Sequence, residues 1–411
     1  MLDAIPQHAP SPYFDAKDGE LVIGDRKVSA LVEEIGHTPF YVYDRAIMSR
    51  KVQELRAALP HEVEIHYAMK ANPMPAVVRH FCGLVDGIDV ASANEMDVAL
   101  AAGMRPDLVS FAGPGKRPTE LERAVAAGIV IIMESELEMR RLAEIARRTE
   151  QRPKVAVRIN PDFELKTAGM KMAGGPKQFG VVAERVPQML AELSTLPLEF
   201  WGFHIYSGSQ NLRADIIADA QQKAAALAIE LARHAPAPVR LLNLGGGFGI
   251  PYFPGEQLLD LAPIGRNLAA IVPSITAALP QAVVVIELGR YLVGESGVYV
   301  CRVLDKKISR GHVFLITDGG LHHHLAASGN FGQVIRKNYP VLVANRIGAE
   351  RRETVSVVGP LCTPLDLLAD RMDLAEAAVG DLVAVLQSGA YGLTASPRAF
   401  LSHPEPGEIV V

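Results

Sequence analysis

Between residues 63 and 290 one pattern recurs eight times: a short run of β-branched and apolar residues, then an Ala/Leu-rich stretch with helical spacing. The predicted strands are 63–69, 84–90, 108–112, 129–133, 154–159, 198–205, 239–244 and 283–288, with helices such as 120–127, 136–148 and 216–234 between them. Eight such units are what a closed parallel (β/α)8 TIM barrel requires. An open doubly wound sheet shares the local period, so the placement of polar residues carries the choice. Lys70, Asp89, Asn160 and the segments 204–210, 245–249 and 287–290 all fall at the C-terminal ends of the runs. In a parallel barrel these ends converge on one mouth, where active sites are built.

The remaining sequence has few helical periods and β-like stretches at 20–23, 40–43, 297–304, 312–316, 354–358 and 382–386. The expected organisation is an α/β barrel over 41–294 and a mostly β domain built from 1–40 and 295–411, with 411 residues ample for both. With 49% hydrophobic and 21% charged residues, the chain can bury a large core and is not of the disordered class. Lys plus Arg number 41 against 46 Asp plus Glu, without blocks of one sign, so no basic track suggests nucleic acid. Three cysteines, Cys82, Cys301 and Cys362, without CxxC spacing argue against a disulfide framework and a structural zinc site and fit a reducing cytoplasm. Residues 1–13 lack a basic region followed by an apolar one, and Pro273 interrupts the apolar stretch 268–279, so neither a secretory signal nor a membrane span is expected.

Lys70 closes the first predicted strand in Tyr67-Ala68-Met69-Lys70-Ala71-Asn72. A lysine at a barrel mouth suits Schiff-base formation with a carbonyl, whereas frequency alone favours an ordinary surface lysine. The run Gly245-Gly246-Gly247-Phe248-Gly249 follows a strand and can offer backbone N–H groups to a phosphate. Ile250 stands where a dinucleotide fingerprint needs its last glycine, and a tight βα turn explains the run equally well. Glu287-Leu288-Gly289-Arg290 brings an acid and a cation to the end of the eighth strand. A carboxylate there can keep a pyridine nitrogen protonated and the arginine can clamp phosphate, or the two can form an intrabarrel ion pair. In the β domain, Cys362 reads as a proton donor or a small buried hydrophobe, and Tyr391 in Ser388-Gly389-Ala390-Tyr391-Gly392 as a presented or a packed ring. For His322, His323 and His324, strand geometry would send the first and last to one face. Without a partner motif, substrate contact or a structural cluster is favoured over metal ligation, and no metal is expected.

Taken together, YAMKAN at 67–72, HIYSGSQ at 204–210, GGGFG at 245–249, ELGR at 287–290, GPLCTPLD at 359–366 and SGAYG at 388–392 resemble the alanine-racemase-like, fold-type III pyridoxal-phosphate decarboxylases, which include diaminopimelate and ornithine decarboxylases. The resemblance spans nearly the whole chain in order. It implies pyridoxal 5′-phosphate as cofactor and a homodimer with shared active sites. It implies Lys70 as the Schiff-base lysine and Glu287 on the pyridine nitrogen. Ser209, Gly246, Gly247, Gly289 and Arg290 would lie around the phosphate, Arg290 also near substrate, with His204, Tyr206 and Tyr391 completing the cofactor site. Cys362 would reprotonate Cα, Cys362 and Asp366 would come from the second subunit, and Thr363 and Asp366 would touch substrate.

The departures are equally specific. Tyr206 stands where the diaminopimelate enzymes carry a ring-stacking histidine. Leu321-His322-His323-His324-Leu325-Ala326-Ala327 replaces a stretch holding an arginine and a tyrosine that grip the distal end of the substrate, and Thr363 replaces a glutamate. Each lost buried charge contact is worth about 2–5 kcal/mol, which disfavours diaminopimelate. The HIYSGSQ and CTPLD variants look like the branch associated with exosortase gene clusters and with amino acids tethered to an acyl-carrier protein. The expected function is therefore decarboxylation of a free or carrier-bound amino acid. Diaminopimelate decarboxylation in lysine biosynthesis, racemisation on the same cofactor, a non-catalytic pyridoxal-phosphate carrier and a cofactor-free Schiff-base aldolase are the competing readings.

Overall fold

The computed structural model describes residues 7–163, 170–171, 174–333 and 335–411. Residues 1–6, part of the N-terminal segment read for a leader and of the anticipated β domain, lie outside the described residues. Two compact units emerge, one of residues 51–250 and 259–292, the other of 7–50, 251–258 and 293–411.

The first unit is the barrel. Its strands are β1 (Val63–Ala68), β2 (Gly87–Val90), β3 (Val109–Phe111), β4 (Val130–Met133), β5 (Lys154–Asn160), β6 (Glu199–His204), β7 (Leu241–Gly246) and β8 (Val283–Leu288). Each pairs in parallel with the next, and β8 returns to β1 through Glu287↔His66 and Leu288↔Tyr67, closing the ring. Alternation then sends one residue in two inward. Val130, Ile132 and Ala156 pack with Ala112, Trp201 and Leu241 as one cluster, while Tyr67 stacks on Phe81 of the following helix at 4.1 Å. Helix starts are set by local chemistry: the side chains of Ser92 and Ser135 accept the amides of Glu95 and Glu138, and Pro75 and Pro118 open their helices.

Three details depart from the sequence reading. The first strand stops at Ala68, and Lys70 sits in a 3-10 turn, Met69–Ala71, closed by the Asn72 amide on the Met69 carbonyl. The seventh strand runs on to Gly246, because glycine lets the backbone approach its neighbour closely. Pro273 does not end its helix, which runs Ala262–Ala278 with Val272 and Ile275 buried on either side of the proline. No described helix is long and apolar enough to cross a membrane.

The second unit is mostly β. Its main sheet runs in the order Val341–Val343, Leu382–Val385, Gly297–Ser309, His312–Thr317, Arg352–Val358 and Leu367–Ala375. Phe40–Tyr43 pairs with both Gly297–Ser309 and Gly407–Val410, so strands from both ends of the chain share this sheet. Its core joins Leu21, Phe40, Val298, Val300 and Ala384. Segment 251–258 belongs to this unit as well, with Tyr252 packed on Tyr339 at 4.6 Å, an excursion the linear reading of the domains did not include.

Candidate active site

At the C-terminal end of the barrel, four of the anticipated residues come together. The Lys70 side chain is 42% exposed, and its Nζ lies 3.8 Å from Glu287 Oε1 and 5.5 Å from the centre of the Tyr206 ring. Glu287 is buried, and its Oε2 accepts from His204 Nε2 at 3.0 Å. Burial alone would raise the pKa of Glu287. The His204 hydrogen bond and the charges of Lys70 and Arg158 outweigh burial and hold it well below the ordinary range, at about 2. Glu287 is therefore an anion throughout the neutral range. The His204 ring lies nearly parallel to that of Tyr206, with centroids 6.4 Å apart.

The phosphate-binding expectation rests on the neighbouring loops. Ser209 lies in a two-residue strand, Gly208–Ser209, and its Oγ is buried without a hydrogen-bond partner among the described residues. Gly247 has φ +77°, and a Cβ there would come within 2.2 Å of the Gly208 carbonyl oxygen. At Gly246 a Cβ would meet the Glu287 carbonyl oxygen at 2.0 Å. Only glycine lets these loops lie against one another. Gly289 follows β8, and Arg290 opens the short helix Arg290–Val293.

Several polar residues of the barrel interior were not singled out as site residues. Asp89 Oδ1 accepts from His66 Nδ1 at 3.2 Å and from Ser110 Oγ, while its Oδ2 is buried without a partner among the described residues. Burial works against a charged His66, but the Asp89 and Glu64 carboxylates outweigh it and raise its pKa to about 10. Arg158 pairs with Glu134 at 2.8 Å, both buried. The signal was present as charged residues at inward-facing strand positions. Asn160 pins a loop instead, accepting the Gly174 amide and donating to the Gly175 carbonyl, each at 3.0 Å.

In the β unit, Cys362 is exposed at the tip of the 359–366 loop, and Thr363 beside it is half-buried. Asp366, expected at the substrate, is held within its own unit by backbone amides. Its side chain is buried, with Oδ1 accepting the Leu321 amide at 2.6 Å and Oδ2 the Leu361 amide at 2.8 Å. It fastens the cysteine loop to the turn at 320–321. The three histidines lie in a turn and not a strand, because the amides of His323 and His324 both bond the Gly320 carbonyl. His324 accepts the Ala327 amide at Nδ1, so its Nε2 carries the proton and donates to Ser388 Oγ at 2.9 Å. That bond ties the turn to the loop of Tyr391, a residue held at the strained angle φ +53°. His323 bonds the Pro404 carbonyl and the Tyr299 hydroxyl, whereas both ring nitrogens of His322 are buried without a partner among the described residues. Burial lowers the pKa of His322 to about 4 and those of His323 and His324 to about 3, so all three are neutral near pH 7. Among the described residues no group of three or more His, Cys, Asp or Glu is arranged to hold a metal ion.

The barrel residues fit a phosphorylated pyridine aldehyde. An amine stands beside a permanently ionised carboxylate, an orphaned buried hydroxyl lies next to the glycine loop, and His204 Nδ1 is likewise buried without a partner among the described residues. The model of the pyridoxal binding domain of pyridoxal-dependent decarboxylases matches residues 45–294. An L-glutamyl-(BtrI acyl-carrier protein) decarboxylase of Niallia circulans is 38% identical over 93% of this chain and 91% of that protein. A diaminopimelate decarboxylase of Aquifex aeolicus is 30% identical over 98% of this chain and 93% of its own length. The crystal structure of diaminopimelate decarboxylase from Helicobacter pylori complexed with L-lysine superposes with a TM-score of 0.82 at 27% identity, covering 93% of this chain and 94% of that one. The chain belongs to the pyridoxal-dependent decarboxylases of fold type III, carboxy-lyases that use pyridoxal 5′-phosphate.

Proposed function

We propose that this decarboxylase removes the α-carboxylate of an amino acid whose far end is carried as a thioester on an acyl-carrier protein. The observation that carries this reading is the absence of fixed charge in the segments where relatives with free substrates are expected to grip a charged tail. Among the described residues of 321–327 and at Thr363, the titratable groups are imidazoles kept neutral by burial, and Asp366 is engaged by two backbone amides. A zwitterionic tail would lose water there without regaining charge contacts. A thioester carbonyl has no such demand. The 38% identical relative, which acts on a glutamyl group on a carrier protein, supports the same reading.

The roles proposed for the chain's own groups are these. Pyridoxal phosphate supplies an electron sink for the pair left on Cα when CO2 departs. Lys70 would hold the cofactor's carbonyl group through its amine and carry a proton at Nζ when free of it. Glu287, ionised and held by His204, would keep a ring nitrogen protonated. Ser209, the glycine loop and Arg290 would hold the phosphate, and Tyr206 and Tyr391 would serve the cofactor site. Cys362 of a second copy would give its thiol proton to Cα and recover one from water. The dimer with shared sites belongs to this proposal, as does a substrate contact from Thr363.

The test is CO2 release from a panel of free diaminopimelate, free glutamate and L-glutamyl-carrier protein. Preference for the carrier-borne substrate is expected. Turnover of free diaminopimelate with none of the carrier-borne substrate would overturn the proposal.

A further inference from the structure

The β unit carries a cavity of about 660 Å³ that the chemistry above does not use. It lies over the strands His312–Thr317, Arg352–Val358 and Leu367–Ala375 and reaches Leu361, Thr363 and Pro364 of the cysteine loop. Its floor is distorted. The register slips between the pairs Val355–Met372 and Val357–Ala369, so the single residue Ser356 faces two, Asp370 and Arg371, which bulge from the Leu367–Ala375 strand with Arg371 held at φ +47°. A bulge re-aims side chains, and a non-glycine residue at such an angle persists only where its surroundings enforce it.

Ser356, buried to 1% exposure, is the hub. Its Oγ donates to Asp370 Oδ1 at 3.0 Å, accepts the Arg371 amide at 3.1 Å and meets His312 Nε2 at 2.9 Å. The His312 ring packs on Phe314 at 4.4 Å.

The strand registers order the cavity along one axis. Lys307 pairs with Phe314 and Phe314 with Ser356, so Lys307, Phe314 and Ser356 form one row across the sheet, and the bulged Arg371 meets its end through its amide on Ser356 Oγ. The next row on the same face holds Ile316, Val358 and Leu367, and beyond it the chain enters the loop of Cys362. One end therefore carries two cations, Lys307 with Asp305 at 3.6 Å and Arg371, beside Asp370, whose Oδ1 is taken by Ser356; the next row is apolar, and at the other end, where Asp366 is held by two backbone amides, lies the loop that bears the thiol. From Ser356 to Leu361 the chain spans at most about 17 Å.

We propose that this groove binds the 4′-phosphopantetheine arm of a carrier-borne substrate, phosphate at Lys307 and Arg371, thioester end at the cysteine loop. The inference rests on the carrier-borne reading above. The arm's dimethyl and methylene groups match Phe314, Ile316 and Val358, and its amides match His312 and Ser309. Its backbone of roughly five peptide lengths matches the span from the cation row to the loop.

The test uses the holoenzyme and the double variant Lys307→Ala/Arg371→Gly. Glycine takes a positive φ without strain, so the bulge is kept while the cation goes. Substrates are L-glutamyl-carrier protein and the L-glutamyl thioester of N-acetylcysteamine, which has no phosphate. The variant should raise KM about tenfold for the carrier-borne substrate, two exposed ion pairs at up to about fivefold each, with kcat and the KM of the short thioester unchanged. Calorimetry should show 4′-phosphopantetheine binding the parent protein and not the variant. The groove assignment is overturned if the parent prefers the carrier-borne substrate but the variant's KM does not move. It is equally overturned if both thioesters suffer alike, or if sedimentation shows that the variant has lost a contact between copies. A parent that prefers a free amino acid to either thioester overturns the carrier-borne reading itself.

Discussion

Replacing Glu287 by glutamine keeps the shape of the side chain and an acceptor for His204 Nε2 while removing the charge. The surroundings lower this carboxylate from 4.5 to about 2, a preference for the ionised form of about 3 kcal/mol. A neutral amide cannot hold a proton on a facing ring nitrogen, and losing a hydrogen bond from a charged partner costs about 2–3 kcal/mol. That corresponds to a fall in kcat/KM of about a hundredfold, carried in kcat. The assay is CO2 release at saturating cofactor near neutral pH, with cofactor content checked by absorbance. The same lowering has a stability signature. Because the folded pKa lies below the unfolded one, the contribution is full above about 4.5 and is lost as pH falls towards 2. Acid unfolding of the parent should therefore show a proton uptake that Glu287→Gln lacks. A variant with full cofactor and activity within a few fold of the parent would refute the assigned role.

Three further outcomes are expected. Cys362 is exposed, so Cys362→Ala should leave thermal unfolding unchanged while kcat falls by about 10²-fold or more, the usual weight of a general acid; parent-like kcat would remove the thiol from the mechanism. Asp366→Ala should cost about 2–4 kcal/mol in denaturant unfolding, since two buried amides lose a charged acceptor, and an unchanged midpoint would contradict the fastening role. His66, raised from 6.5 to about 10, should contribute stability that is full below pH 6.5 and declines as pH climbs towards 10, a slope that His66→Phe should abolish in a pH series of unfolding curves.

The barrel was legible because its signal is local. Each β-branched run and amphipathic helix is written in consecutive residues, and the strand-end positions of Lys70, His204 and Glu287 follow from the same period. The interior of the barrel was not legible in that way. His66, Asp89 and Ser110 lie on three successive strands, and only the closed register makes them neighbours. In the β unit the loops carry the information. The turn at 320–324 broke the expected alternation of the histidines, because one glycine carbonyl captures two successive amides. The fastening of Asp366 by the amides of Leu321 and Leu361 is likewise invisible in the sequence, because it depends on the turn at 320–321 meeting the cysteine loop. The bulge at Asp370 and Arg371 opposite Ser356 leaves no trace in composition, since a one-residue slip of register depends on both strands at once.

The central claim is that Lys70 carries the cofactor in a decarboxylase site at the barrel mouth. Borohydride reduction of the protein loaded with pyridoxal phosphate, followed by peptide mass mapping, tests it most directly. One phosphopyridoxyl adduct is expected, on the peptide containing Lys70, with CO2 release abolished in the same sample. An adduct on another lysine, or activity surviving complete modification of Lys70, would contradict it.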